Sequence, residues 1–313
     1  MTRRVLITGG AGFIGSHVAD AHLAAGDAVT ILDDLSTGRR ENVPAGAVLV
    51  RADVRSAEAR RLVIDGGFTI VNHHAAQMDV RRSVTDPVFD AQVNVIGLLN
   101  LLDGARAGGV KRIVFASSGG TVYGEGGKLP IGEQAPKLPA SPYGAAKLTS
   151  EFYLCCFAQL YGLEHVALRY SNVYGPRQNP HGEAGVMAIF ARRVADGEPL
   201  TVFGDGEQTR DLVFVEDVAA ANLLASNVPL PPLTDLDTRA CNIGTGVETS
   251  INVVAQTMAQ VGGRKAEIRH AAARAGEVLR NALEVRKAAS FLGWRPKVSF
   301  ADGVERTYRA IAG

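Results

Sequence analysis

"ITGGAGFIGSHV", residues 7–18, decides how the rest of the chain is read. An apolar run ends at Thr8, and Gly9, Gly12 and Gly15 follow at three-residue intervals as an apolar-periodic stretch opens. Strand, glycine turn and helix in that order gather free backbone N–H groups at the positive end of a helix dipole, a cradle for a pyrophosphate. In a chain with 35 glycines the spacing alone would be a weak signal. Asp33 supplies the second half, because it closes the next apolar run, "AVTILD", 18 residues beyond Gly15. An acidic side chain there accepts hydrogen bonds from a ribose and repels a 2′-phosphate, so the expected dinucleotide is NAD in preference to NADP. Arg39 and Arg40 nearby keep a phosphate in play. Asp53, ending "AVLVRAD" ahead of Val54, fits an adenine-side contact as well as it fits a helix N-cap.

Outward from this loop the pattern repeats. Strands are expected at 4–8, 28–33, 47–53, 68–73, 112–117 and 165–170, each a nearly continuous apolar run. Such runs suit a parallel sheet covered on both faces. Helices are expected between them at 14–25, 57–65, 88–107 and 145–161. The alternation predicts right-handed βαβ units and an α/β fold, a Rossmann-type doubly wound parallel sheet. After about residue 171 proline and glycine become frequent and the alternation loosens. We expect an NAD-binding domain over 1–171 and a smaller mixed α/β substrate lobe over 172–313, with a segment near 211–243 returning to the first domain.

The bulk numbers exclude several classes. At 313 residues, 46% hydrophobic and 21% charged, the chain has the composition of an ordinary globular protein. A net charge of +1, from 33 basic and 32 acidic residues, provides no field for nucleic acid or an anionic membrane. No apolar run reaches the about 18 residues of a membrane span, and "MTRRVLITGG" enters a strand at once, so a cytoplasmic location is expected. Cys155, Cys156 and Cys241 show no disulfide spacing. Histidines do not cluster with carboxylates or thiols, so no metal is expected, and His73-His74 reads as satisfied core histidine.

A second stretch carries the chemistry. "SPYGAAK", 141–147, sets Tyr143 and Lys147 four residues apart, on one face of a helix. Ser118 directly follows the strand expected over 112–117, so the three converge at the carboxyl edge of the sheet, where such folds bind ligands. A tyrosine with a free pKa near ~10 is a poor base at neutral pH; a nearby ammonium and a positive nicotinamide favour its phenolate.

With "LDDLSTG", "NVIGLLNLL", "SSGGTVYGE", "LRYSNVYGPRQ", "FGDGEQTRDLVFVEDVA", "CNIGTG" and "RAGE" in the same order, the chain resembles the extended short-chain dehydrogenase/reductase family over essentially its whole length. Within that family it is most similar to the nucleotide-sugar branch and to UDP-glucose 4-epimerases. The resemblance implies Tyr143 as the base on a sugar hydroxyl, Lys147 as its partner at the nicotinamide ribose and Ser118 as the residue holding the reacting oxygen. Counted back from Tyr123, Thr121 competes with Ser118 for that last role. The cofactor, tightly held and regenerated each cycle, would meet Gly9, Gly12, Phe13, Ile14, Gly15, Asp33, Asp34, Ser36, Thr37, Gly38, Asp53, Val54, Ala75, Ala76, Gln77, Asn94, Ser117, Tyr143, Lys147 and Tyr170. The sugar nucleotide would meet Ser118, Thr121, Tyr143, Asn172, Val186, Thr201, Phe203, Arg210, Arg274, Glu277 and Asn281. For Phe203 a core position, and for Arg274 a solvated one, is a comparable reading.

Relatives that dehydrate their sugar use an Asp-Glu pair just past the strand-five threonine. Here Gly119 and Gly120 occupy that region, and neither can move a proton. The resemblance therefore implies NAD-dependent 4-epimerisation of a UDP-hexose through a 4-keto intermediate, with Asn281 small enough to admit UDP-GlcNAc. A uronate substrate stays open through Arg177, although Asn179 stands where uronate enzymes often carry arginine. Another nucleotide-sugar oxidoreductase and a non-catalytic NAD sensor are the other readings. Surplus apolar residues on helices 88–107 and 145–161 match the family's two-fold helix bundle, which implies a homodimer.

Overall fold

The computed structural model describes residues 2–125, 127–180, 185–263, 266–273 and 279–313. β-branched and aliphatic runs form β1 (Arg4–Thr8), β2 (Ala28–Leu32), β3 (Val48–Val50), β4 (Ile70–His73), β5 (Arg112–Ser118) and β6 (Glu164–Tyr170). Between them lie α1 (Phe13–Ala24), α2 (Ala57–Asp65), α3 (Val80–Thr85), α4 (Pro87–Ala91), a π-helical turn (Gln92–Ile96), α5 (Gly97–Gly108) and α6 (Pro142–Tyr161). The chain continues through β7 (Asn172–Tyr174), α7 (Val186–Asp196), β8 (Leu200–Phe203), β9 (Thr209–Arg210), β10 (Leu212–Phe214), α8 (Val215–Ala225) and β11 (Ala240–Ile243). It ends with β12 (Thr249–Ser250), α9 (Ile251–Val261), β13 (Ile268–Ala271), α10 (Arg286–Leu292) and α11 (Phe300–Ala312).

Seven strands form one parallel sheet in the order β11–β6–β5–β4–β1–β2–β3. Strand order reverses between β1 and β4, which opens a crevice at the carboxyl edge there. Successive residues along each strand feed opposite cores. Val5, Ile7, Ile31, Val114 and Leu168 pack under α1, α8 and α10. Leu6, Leu32, Val71, Ile113 and Phe115 pack under α2, α5 and α6. Burial on both faces explains why the strands read as nearly continuous apolar runs. A third core gathers Tyr174, Phe190, Val202, Phe214, Val254 and Val304 from α7, α9, α11 and the short strands around them.

The structure corrects several boundaries. The strand expected over 47–53 shrinks to Val48–Val50, because β3 is an edge strand paired only with β2. The helix expected over 88–107 is three pieces, α4, the π-helical turn and α5. Asp86 caps α4 by accepting the Phe89 N–H at 3.1 Å, with Pro87 in the first turn. α6 begins earlier than expected, since Ser141 accepts the Gly144 N–H at 3.2 Å and Pro142 is pre-set for the first turn. Tyr143 therefore lies in the first turn of α6.

Leu102 is fully buried between α5 and the sheet. Leu102→Ala should lower stability by about 2–5 kcal/mol, read as a reduced urea midpoint with unchanged slope.

Candidate active site

The glycine loop joins β1 to α1 at the crevice. Gly9 has φ +67°, and a Cβ there would stand 2.6 Å from the Ala75 N atom. A Cβ at Gly15 would stand 2.3 Å from the Gly9 carbonyl oxygen. Only glycine lets the turn lie this close to the end of β4 and to its own helix. Gly12 is the N-cap of α1, and no side chain caps that terminus. Its first-turn N–H groups thus form an uncapped donor set at the positive end of the dipole, which suits a pyrophosphate.

Asp33, just past β2, is buried under this loop. Its carboxylate accepts the Ala11 N–H at 3.0 Å and the Leu35 N–H at 2.9 Å. Burial raises its pKa, and those two N–H groups oppose the rise. Leu35 has φ +61°, so the chain turns sharply into the exposed Asp34–Gly38 segment, where Asp34 accepts from the Ser36 N–H and hydroxyl. Asn42 Nδ2 and the Arg39 N–H both donate to the Ala11 carbonyl, a clasp not evident in the sequence. Asp53 lies beside buried Val54 and pairs with Arg55. The N-cap of α2 is Ser56, which removes that alternative for Asp53. With an uncapped helix end, a glycine cradle and a carboxylate at the end of β2, the residues present fit a dinucleotide.

At the end of β4, Thr8 Oγ1 meets His73 Nδ1 at 2.7 Å and accepts the Ala75 N–H at 3.1 Å. His74 Nε2 meets Asn72 Oδ1 at 2.8 Å. Burial, then the Lys147 charge, pulls both histidines down to about 3, so they stay neutral. Ala75 and Ala76 are half-buried beside the glycine turn. Asn94 does not present a free amide: Oδ1 accepts the Gln77 N–H at 2.9 Å, and Nδ2 donates to the Gln77 carbonyl and to Asp90 Oδ1. Gln77 Nε2 donates to the same Asp90 oxygen at 2.9 Å. The π-helical turn brings Asn94 inward to brace this loop. Tyr170 is likewise engaged, with its hydroxyl on the Asn222 amide at 2.8 Å and its ring stacked on His74.

The candidate reaction centre lies where β5 ends against α6. Lys147 is buried, its Nζ donating to the Ala116 carbonyl at 2.8 Å and lying 5.6 Å from the centre of the Tyr143 ring. Burial pulls Lys147 down to about 8, opposed by the charges of Asp90 and Glu151. Burial pushes the Tyr143 phenol well above the ordinary tyrosine value, and the Asp90 carboxylate adds to the rise. The lysine is close, yet its ammonium is turned toward Ala116 and does not offset the loss of water.

Past Ser118 the two glycines differ. A Cβ at Gly119 would lie 2.4 Å from Leu283 Cδ1. At Gly120 it would find space, with Ser118 Oγ at 3.8 Å and Asn281 Nδ2 at 3.9 Å. Ser118 and Asn281 therefore border one small volume. Asn281 is 6% exposed, and its Oδ1 has no hydrogen-bond partner; neither has the buried Thr121 Oγ1. Asp211, unnoticed in the sequence, orders this side by accepting the Thr245, Gly246 and Leu283 N–H groups.

Farther out, Asn172 is exposed on β7 and Val186 opens α7. Thr201 Oγ1 accepts from Arg193 at 2.9 Å. Phe203 ends β8, half-buried, and Arg210 on β9 donates to the Thr209 carbonyl at 2.8 Å. Arg274 and Glu277 lie outside the described residues. Arg177 pairs with Asp20 of α1 at 2.7 Å in a groove between α1 and α8.

A family model described as the NAD dependent epimerase/dehydratase family matches residues 5–236. The chain is 43% identical over 309 residues to the UDP-glucose 4-epimerase of Mycolicibacterium smegmatis, covering 97% of each. Its structure is similar to that of UDP-glucose 4-epimerase from Thermotoga maritima with UDP-glucose, with TM-score 0.93, 42% identity and 98% of each chain covered. It is similar also to the Thermus thermophilus UDP-glucose 4-epimerase complex with NAD, with TM-score 0.91, 45% identity and 99% of each chain covered.

The folded Lys147 value of about 8 lies below the ~10.4 of an unfolded lysine. Folding thus disfavours its proton; the penalty is complete below pH ~8 and disappears as pH rises toward ~10.4. Lys147→Met should stabilise cofactor-free protein by up to ~3 kcal/mol at pH 7 and by steadily less above pH 8. Urea midpoints across that range check it; a gain independent of pH would contradict burial as the cause.

Proposed function

We propose that this chain, which belongs to the NAD dependent epimerase/dehydratase family, inverts the C4 hydroxyl of a UDP-hexose, interconverting UDP-glucose and UDP-galactose through a 4-ketose. It is an enzyme of the epimerase type, and its cofactor is NAD. The observation that carries the finer reading is the volume over Gly120. It is bordered by Ser118 and Asn281, with no carboxylate at Gly119 or Gly120 to take up a second proton.

When bound, NAD supplies the hydride acceptor and donor that this chemistry needs. Tyr143 takes the C4 hydroxyl proton and returns it to the C4 oxygen once the 4-ketose has turned its opposite face toward the cofactor site. Ser118 holds the C4 oxygen through both steps, with Thr121 as a neighbouring contact. Lys147, buried under the tyrosine, positions the ring and provides positive charge. We assign the first 171 residues and the segment near 211–243 to the cofactor, and the rest to the sugar nucleotide. The packing of α8 on α1 and of β11 on β6 supports that division. Arg210 is the described residue proposed for the pyrophosphate.

Two features narrow the substrate. Arg177 is held by Asp20 on the outer side of α1, which weighs against its meeting a uronate carboxylate. The space over Gly120, and an asparagine at 281, favour a pocket that also admits UDP-GlcNAc. Protein given UDP-galactose and no added NAD should release UDP-glucose, and it should turn over UDP-GlcNAc as well. Tyr143→Phe should lower kcat by about a hundredfold or more while still binding NAD, and Ser118→Ala should lower it more than Thr121→Ala. Product analysis by mass spectrometry and chromatography checks each point; a net change in NADH would point to an oxidoreductase instead.

We also propose a homodimer. Val84, Val88 and Ile96 around α3 and α4, and Phe152, Tyr153, Leu160 and Tyr161 on α6, are large apolar residues left exposed. Together they offer an apolar helical surface of the kind that two-fold pairing covers. Phe152→Glu should convert the dimer to monomer in light scattering.

A further inference from the structure

Behind the candidate reaction centre lies a buried polar cluster that engages Ser117, expected above at the cofactor, and adds two residues with no role so far. Glu151 stands on α6 one turn after Lys147. Its carboxylate accepts the Ser117 hydroxyl at 2.5 Å, Arg169 Nη2 at 2.6 Å and Arg169 Nε at 3.0 Å. Ser117 and Arg169 are register partners on β5 and β6, so the three side chains meet where α6 covers the sheet. A buried ion pair is poor evidence for stability, because desolvation offsets the attraction and apolar residues often serve as well. Its location suggests another purpose. Lys147 and Glu151 grip consecutive residues of β5, one at the Ala116 carbonyl and the other at the Ser117 hydroxyl, and the next residue is Ser118.

We infer that Glu151 is a positioning residue for the reaction: clamped by Arg169, it fixes the end of β5 that carries Ser118 against the helix that carries Tyr143 and Lys147. The inference rests on those three residues being the acid–base set. A reacting oxygen misplaced by about 1 Å can cost a hundredfold in rate, so a strand end pinned from two adjacent residues matters to turnover. The Glu151 charge also favours the Lys147 ammonium. The other titratable groups facing Lys147 are Asp90 from α4, His73 and His74 from the end of β4, and Tyr143 on its own helix. Glu151 itself faces Arg169 from β6, which also contacts Tyr123 and Asp237, and Cys155 on α6.

Ser117→Ala removes the serine–carboxylate bond and leaves the ion pair intact. We expect an unchanged thermal midpoint, kcat lowered about tenfold and KM for the UDP-sugar within about twofold. Ser117→Thr, which keeps the hydroxyl, should restore kcat. The paired change Glu151→Gln with Arg169→Gln removes charge without stranding a lone buried ion. In it the basic limb of the kcat–pH profile should move to lower pH, because Lys147 loses its ammonium sooner; in Ser117→Ala the limb should stay in place. Wild-type kcat in Ser117→Ala, or an unmoved limb in the paired variant, would overturn the inference while Tyr143→Phe remains inactive. Full turnover by Tyr143→Phe would instead overturn the acid–base reading, and this inference with it.

Discussion

Arg169 carries a guanidinium into the centre of the molecule, and much of the architecture around it serves to answer its N–H donors. It is fully buried, and a buried charge is tolerable only when it is paired and hydrogen-bonded. Glu151 comes from α6, the Tyr123 hydroxyl and Glu133 carbonyl from the segment between β5 and α6, and Asp237 from just ahead of β11. Asp237 in turn pairs with Lys137. One side chain thereby fastens the middle of the sheet, its covering helix and two long connections. Leaving any of those charges without its partner costs about 3–5 kcal/mol, which makes their mutual arrangement close to all-or-none.

Burial also governs the chemistry next to that cluster. Lys147 and Tyr143 are driven toward their neutral forms, the first by loss of water alone and the second by loss of water with Asp90 added. The local fold therefore holds the pair in position more firmly than it ionises them. Asp90 has two roles here. It supports the ammonium of Lys147, and through Gln77 and Asn94 it braces the loop that meets the glycine turn.

The layered sheet was legible because strands buried on both faces carry continuous apolar stretches, as 5–7, 113–116 and 166–168 do in β1, β5 and β6. The glycine loop was legible because backbone contact at Gly9 and Gly15 leaves room for nothing larger. The spacing of Tyr143 and Lys147 was legible as a helical face. What the sequence hid depends on neighbours distant along the chain. The short β3 reflects its place at the edge of the sheet. The π-helical turn, and the engagement of Asn94 by Gln77 and Asp90, depend on how α4 meets the loop after β4. The direction of the Tyr143 shift depends on how much water tertiary packing removes, which no four-residue spacing reveals. Asp211 looked like one carboxylate among many, since its partners at Thr245, Gly246 and Leu283 are far away in sequence. Arg274 and Glu277 remain at the level of resemblance.

The unequal glycines after Ser118 bear on how such a fold can change its chemistry. Leu283 lies where any side chain at position 119 would have to begin, whereas position 120 opens into the volume bordered by Ser118 and Asn281. A lineage exploring new reactions from this arrangement could introduce a proton donor at 120 by a single codon change, with the backbone left as it is. The same experiment at 119 would first require the Leu283 side chain to move aside. Innovation at this centre has one unobstructed entrance, and the protein keeps it vacant with a hydrogen atom.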